Sequence, residues 1–194
     1  MTSLIGAERV KCCFVGEYKA GKTSIIHTYL DKSSENTLST VGIDFFSKTL
    51  YVSNREVYLT IWDTAGSERF KSLTQSYLRD ADLVVLVYDT TEKTSNVVYW
   101  MRCIEQYKPK VIGVLGNKTD LTYANEENMD DLLFPWSRQS IKVIHETLSA
   151  RNKDDVKAFF KRCLKLIIDD QPEDFEMHYV QLEPSSPKNR KCCT

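Results

Sequence analysis

The 194-residue chain has no long apolar run, no excess of either charge and no closely spaced cysteine pair of the C-x-x-C kind. Its apolar stretches, Val84 to Tyr88 among them, fall far short of the roughly 20 residues that cross a bilayer. The N-terminus lacks the charged flank and apolar segment of a secretory signal. Thr2 stands where N-myristoylation requires glycine, so that modification is not expected. A net charge of −1 gives no electrostatic footprint for nucleic acid. These absences point to a cytosolic protein unless a lipid holds it. There is no internal repeat. His27, His145 and His178 are scattered without ligand-spaced partners, so each reads as a packing or surface residue.

Without a secretory signal or C-x-x-C spacing, the six cysteines do not suggest a disulfide framework or a zinc site. Cys12, Cys13, Cys103 and Cys163 fall in apolar or helical patterns and read as core or helix-face residues. Cys192 and Cys193 differ, being adjacent, on a polar stretch and preceded by Lys188, Arg190 and Lys191. Such a pair has no packing role there.

What the chain does contain is a phosphate cradle. Residues 16 to 23 read Gly-Glu-Tyr-Lys-Ala-Gly-Lys-Thr, the spacing G-x-x-x-x-G-K-[ST], between the apolar run Val10 to Val15 and a helical pattern. Gly16 and Gly21 allow a tight loop whose backbone N–H groups face an anion. Lys22 reaches the outer phosphates, and Thr23 offers a hydroxyl to Mg²⁺. The expected nucleotide contacts of this stretch are Gly16, Tyr18, Lys19, Ala20, Gly21, Lys22, Thr23 and Ser24.

Two further strand-end motifs turn the phosphate site into a guanine-nucleotide site. Asp63-Thr64-Ala65-Gly66 closes the run Val57 to Trp62, bringing a carboxylate for a Mg²⁺-bound water and the bare N–H of Gly66 for the γ-phosphate. Asn117-Lys118-Thr119-Asp120 follows the run Val111 to Leu115. Asp120 can accept both guanine N1–H and N2–H₂, a donor pair that adenine lacks. The Lys118 stem can lie against the base, and Asn117 can tie this loop to the phosphate loop.

Strand patterns at about 8–15, 42–52, 55–63, 82–88, 110–116 and 141–146 alternate with helical patterns at about 22–30, 68–79, 92–108, 126–134 and 152–169. That alternation specifies a doubly wound α/β fold, with helices on both faces of a six-stranded, mostly parallel sheet. Ser53-Asn54 is too short for a crossover, so strands two and three form an antiparallel hairpin. Ligands in such folds bind at the strands' carboxyl ends, where all three motifs fall. At 194 residues the chain is one domain over 1–170, large enough to bury about 70% of its unfolded surface, plus a tail over 171–194. Pro135 is expected to end the fourth helix, and Asp169-Asp170-Gln171-Pro172 the fifth. The tail, with Pro172, Pro184 and Pro187, reads as a flexible tether.

With these motifs the chain resembles the P-loop small GTPases of the Ras superfamily, and within them the Rab family. Val41-Gly42-Ile43-Asp44-Phe45, Arg69-Phe70-Lys71-Ser72-Leu73 and Leu86-Val87-Tyr88-Asp89-Thr90-Thr91 match the stretches that set Rabs apart. Phe45 to Tyr51 and Ser76 to Asp80 look most like the Golgi-associated Rab-six subfamily. The resemblance implies a GTP/GDP switch in vesicle trafficking with Mg²⁺ held by Thr23, Thr40 and Asp63, and a catalytic set of Lys22, Thr40, Gly66 and Ser67. Thr40 and Gly66 would grip the γ-phosphate, so that hydrolysis releases both switch loops. Ser149-Ala150-Arg151 matches the family's S-A-K loop, with the Ala150 N–H aimed at guanine O6. Phe45, Trp62 and Tyr77 match the aromatics that Rabs present to effectors. Cys192 and Cys193 imply double geranylgeranylation, since Lys191 stands where a C-a-a-X signal needs cysteine; two chains give the stable anchoring that one does not. The implied partners are an exchange factor, a TBC-type GTPase-activating protein, a GDP-dissociation inhibitor, Rab escort protein, effectors and the cytoplasmic face of an endomembrane, with the protein itself a monomer.

Three departures from the family pattern bear on turnover. Ser67 replaces the glutamine that orients the attacking water and is too short for both roles of an amide. Tyr18 places bulk at a phosphate-loop position that is usually small. Ser34 aligns with the aromatic that normally stacks on the base, in a switch loop one residue short. They point to slow intrinsic hydrolysis, and they keep open a non-hydrolysing GTP-bound recruitment module beside the cycling switch. A P-loop kinase or ATPase fits less well, because Asn117 to Asp120 selects guanine.

Overall fold

A computed structural model describes residues 7–32, 42–64, 76–92, 95–121, 129–137 and 141–169. Six strands, β1 (Glu8–Val15), β2 (Ile43–Val52), β3 (Arg55–Thr64), β4 (Leu83–Asp89), β5 (Val111–Asn117) and β6 (Lys142–Thr147), form one sheet in the order β2-β3-β1-β4-β5-β6. Four helices accompany them among the described residues: α1 (Lys22–Tyr29), α2 (Ser95–Glu105), α3 (Met129–Ser137) and α4 (Lys153–Ile168). All strand pairings are parallel except β2 with β3. Ser53 and Asn54 both take positive φ, 48° and 62°, the requirement of the tight turn that matches strand twist. Of the expected helix at 68–79, only 76–79 lies among the described residues, and 76–78 is helical.

Two apolar layers sandwich the sheet. β1 alternates between them: Val10, Cys12 and Phe14 face α1 and α4, while Cys13 and Val15 face α2 and α3. A strand buried on both faces reads as a nearly unbroken apolar run, and β4 and β5 are of this kind. In the first layer Tyr29 stacks on Phe160 with ring centroids 3.7 Å apart. A Cβ at Gly113 would lie 2.6 Å from Phe159, so α4 packs hard against β5. α4 starts at Asn152, whose side chain accepts from the N–H groups of Asp154 and Asp155, and its Val156, Phe159, Phe160, Cys163, Leu164, Ile167 and Ile168 make one buried face.

α2 is shorter than the expected 92–108. Tyr107 and Lys108 close tight turns on Ile104 and Glu105, Lys108 takes φ 48°, and Pro109 cannot continue a helix. Pro135 does not end α3 but sits inside it. Only two helical residues follow it. One of them, Trp136, is buried and donates its indole N–H to Glu105, which draws the chain on past the proline. No described helix is long and apolar enough to cross a membrane.

The parallel pairing of β1 with both β3 and β4 makes β1 the point where the strand order reverses. The loops leaving β1, β3, β5 and β6 therefore emerge at one edge.

Candidate functional site

The phosphate loop leaves β1 pressed against β4. A Cβ at Gly16 would lie 2.0 Å from the Val87 carbonyl oxygen, and φ is 132°, so only glycine fits. Gly21, at φ 95°, leaves room for Asn117, whose Nδ2 would be 2.2 Å from an added Cβ. Lys22 is buried, and its ammonium donates to the carbonyls of Gly16 at 3.0 Å and Glu17 at 2.9 Å. Burial pulls its pKa down to about 8, with Asp63 and Glu17 pulling back up. A buried cation bound by two neutral carbonyls is well placed to exchange them for phosphate oxygens.

The Thr23 hydroxyl donates to Asp63 Oδ2 at 2.5 Å, across the β1/β3 seam set by the pairing of Phe14 with Asp63. Two hard oxygen donors from different elements meet here. Mg²⁺ prefers a few such oxygens together with phosphate and water, so the pair suits it. Bound there by Thr23 and through Asp63, the ion would neutralise charge on the outer phosphates. Among the described residues no group of three or more His, Cys, Asp or Glu offers another metal site.

Asn117 joins the loops. Its amide donates to the Ala20 carbonyl at 2.9 Å and its Oδ1 accepts from the Ala150 N–H at 2.8 Å, while its backbone carbonyl is held by Thr90. The Ala150 N–H, expected to point at guanine O6, is thus bonded to Asn117 instead. Asp120 accepts from Ser149 at 2.6 Å and from Arg151 at 2.9 Å. The Ser149 hydroxyl, against the opposing effect of burial, and then the Arg151 and Lys118 charges hold its carboxyl below the usual range. It is an ionised acceptor at neutral pH, as a guanine edge requires. Guanine would have to exchange with these partners.

Lys118 pairs with Asp89 at the end of β4. Burial opposes the Asp89 charge, but Lys118 and the Thr91 hydroxyl and N–H hold its pKa low. This role for Asp89 was missed in the sequence, although Leu86 to Thr91 was singled out; a carboxylate at a strand end beside two threonines was the available signal. Glu17 and Trp100 were missed too, and their hydrogen bond joins the phosphate loop to α2 at 3.2 Å.

Tyr18 is half-exposed with the Lys19 ammonium 5.3 Å from its ring centre, and Ser24 is partly exposed on α1. Phe45, Trp62 and Tyr77 form one row, with centroids 5.1 Å and 5.3 Å apart. Pairing of Phe45 with Trp62 across the hairpin makes the first contact. Lys11 lies 5.5 Å from the Trp62 ring and donates to the Arg79 carbonyl. His27 packs edge-on to Phe46, and His145 meets the Tyr88 hydroxyl at 2.9 Å. Cys12, Cys13 and Cys163 are free and buried, and burial raises all three thiol pKa values, that of Cys13 to about 12. Ser34, Thr40, Gly66, Ser67, His178, Cys192 and Cys193 lie outside the described residues.

The model of the Ras family matches residues 11–169, and the chain belongs to that family. The match covers all three nucleotide motifs and every described strand, β1 from Lys11 onward. With the family come guanine-nucleotide binding with Mg²⁺, switching and GTPase activity.

Proposed function

For this Ras-family chain, we propose a Rab-type switch of vesicle trafficking, most like the Golgi-associated Rab-six subfamily. It is a monomer that cycles between GTP and GDP on an endomembrane. The observation that carries the reading is the continuous row Phe45, Trp62 and Tyr77, built from β2, β3 and the helical residues 76–78. Phe45 leaves about half its surface in water, where a partner can cover it. The domain over 1–170 carries the nucleotide. The tail over 171–194 carries prenyl groups on Cys192 and Cys193 and tethers the domain to the membrane.

In this reading Gly16, Tyr18, Lys19, Ala20, Gly21, Lys22, Thr23 and Ser24 hold the phosphates. Asn117, Lys118, Asp120, Ser149, Ala150 and Arg151 hold the base, and Thr23, Thr40 and Asp63 serve the metal. Exchange factor, TBC-type activating protein, GDP-dissociation inhibitor and effectors act through the switches. The test is modification: incubated with geranylgeranyl donor and transferase, the purified chain should gain two prenyl groups by mass only when Rab escort protein is present. Modification without the escort, or none with it, would remove the Rab assignment.

A second reading, a GTP-bound recruitment module that hardly turns over, is favoured by the half-exposed Tyr18 on the phosphate loop and by Ser67 in the sequence. Ras-like hydrolysis is slow even with glutamine, on the order of 10⁻⁴ s⁻¹, and loss of one positioned polar group commonly costs about 10²-fold. Native protein should stay GTP-loaded for hours. Ser67→Gln should speed single-turnover hydrolysis about tenfold, an allowance below that full cost because Tyr18 crowds the loop. Brisk native hydrolysis would exclude the module.

A further inference from the structure

Glu17 places a carboxylate in a loop shaped to receive phosphates, next to the glycine that opens it. Like charges at such range repel, more strongly where water is excluded. The side chain reaches α2, where Glu17 Oε1 accepts from the Trp100 indole N–H at 3.2 Å. Trp100 is itself buried in the second apolar layer with Val97, Met101 and Ile104, so its N–H is fixed in direction. The backbone of Glu17 acts separately, its carbonyl accepting from Lys22 at 2.9 Å and from the Ala20 N–H at 3.3 Å. One residue thus joins a rigid helix, through its side chain, to the lysine of the loop, through its main chain. Glu17, Tyr18 and Ala20 share a cleft with Val97 and Trp100, about 30 Å³, room for a water or two.

We propose that Trp100 is a positioning residue for the phosphate loop. Its indole N–H parks the Glu17 carboxylate on α2, away from the phosphates, and so holds the loop carbonyls in line with Lys22. The proposal rests on the nucleotide role assigned to this loop. It adds a control absent from the three nucleotide motifs, in which the orientation of α2 sets how firmly diphosphate is held. An untethered carboxylate can swing to the cradle, loosening the nucleotide by charge as well as by slack.

The charge component separates positioning from ordinary packing. In the full chain with Mg²⁺, release of a fluorescent GDP analogue should be about fivefold faster in Trp100→Phe, which keeps the ring packing but removes the donor; two unit charges at a partly solvated separation interact on this scale. Glu17→Asp, one methylene too short to reach Trp100, should do the same without touching the core. Glu17→Gln should change the rate by less than about twofold in the native background, yet slow release about fivefold in the Trp100→Phe background, because a loose amide does not repel phosphate. Equal effects of Glu17→Gln in both backgrounds, or native release rates in both Trp100→Phe and Glu17→Asp, would overturn the proposal. Failure of the native chain to bind GDP at all would remove the site reading and this inference with it.

Discussion

The two ends of the nucleotide site are built on different principles. At the phosphate end the positions are set by burial: Gly16 lies against the Val87 carbonyl, Lys22 is enclosed, and Thr23 meets a fully buried Asp63. At the base end they are set by side-chain pairs near the surface, Asp120 with Ser149 and with an Arg151 side chain 84% exposed. Buried groups rearrange at high cost, whereas exposed ion pairs are worth about 0–1 kcal/mol and give way to a competing ligand. The phosphate end therefore supplies most of the affinity, and the base end decides which nucleotide receives it.

The comparison breaks most visibly at Asp120. Asp120→Asn should lose GTP and gain xanthine nucleotide, whose C2 oxygen replaces the donor of guanine, with a swing in preference that reaches about 10⁴-fold. Competition binding with the two triphosphates reads it directly. Lys22→Ala should weaken GDP and GTP together by about 10²–10³-fold, the range for truncating one partner of a buried charge pair, without changing base preference. The smallest effect belongs to Arg151→Ala. Losing an exposed pair should alter GDP affinity by no more than about threefold; a larger change would mean that Arg151 holds the base more strongly than an exposed pair can.

The sequence placed every strand to within about a residue, because apolar runs bounded by turn residues leave little freedom. It also placed the tie from Asn117 to the phosphate loop, now seen as the bond to Ala20. The misses share a cause. Arg151 on Asp120, Asp89 on Lys118 and Trp100 on Glu17 join residues that are 29 or more positions apart in the chain. Only tertiary packing brings them together. Pro135 misled in the opposite sense, since a local helix-breaking preference gave way to burial of Trp136.

One binding experiment tests the division between the two ends. Native protein loaded with a fluorescent GDP analogue and Mg²⁺ is challenged with GTP, ATP and GMP. GTP should displace the probe at near-stoichiometric concentration. ATP, which keeps the phosphates but not the donor pair read by Asp120, should require at least about 10³-fold more. GMP, which keeps the base but not the outer phosphates met by Lys22, should be weaker than GDP by a comparable factor, about 10²-fold or more. Equal competition by ATP and GTP would contradict a guanine site, and GMP competing as well as GDP would contradict the claim that the buried phosphate end holds the nucleotide.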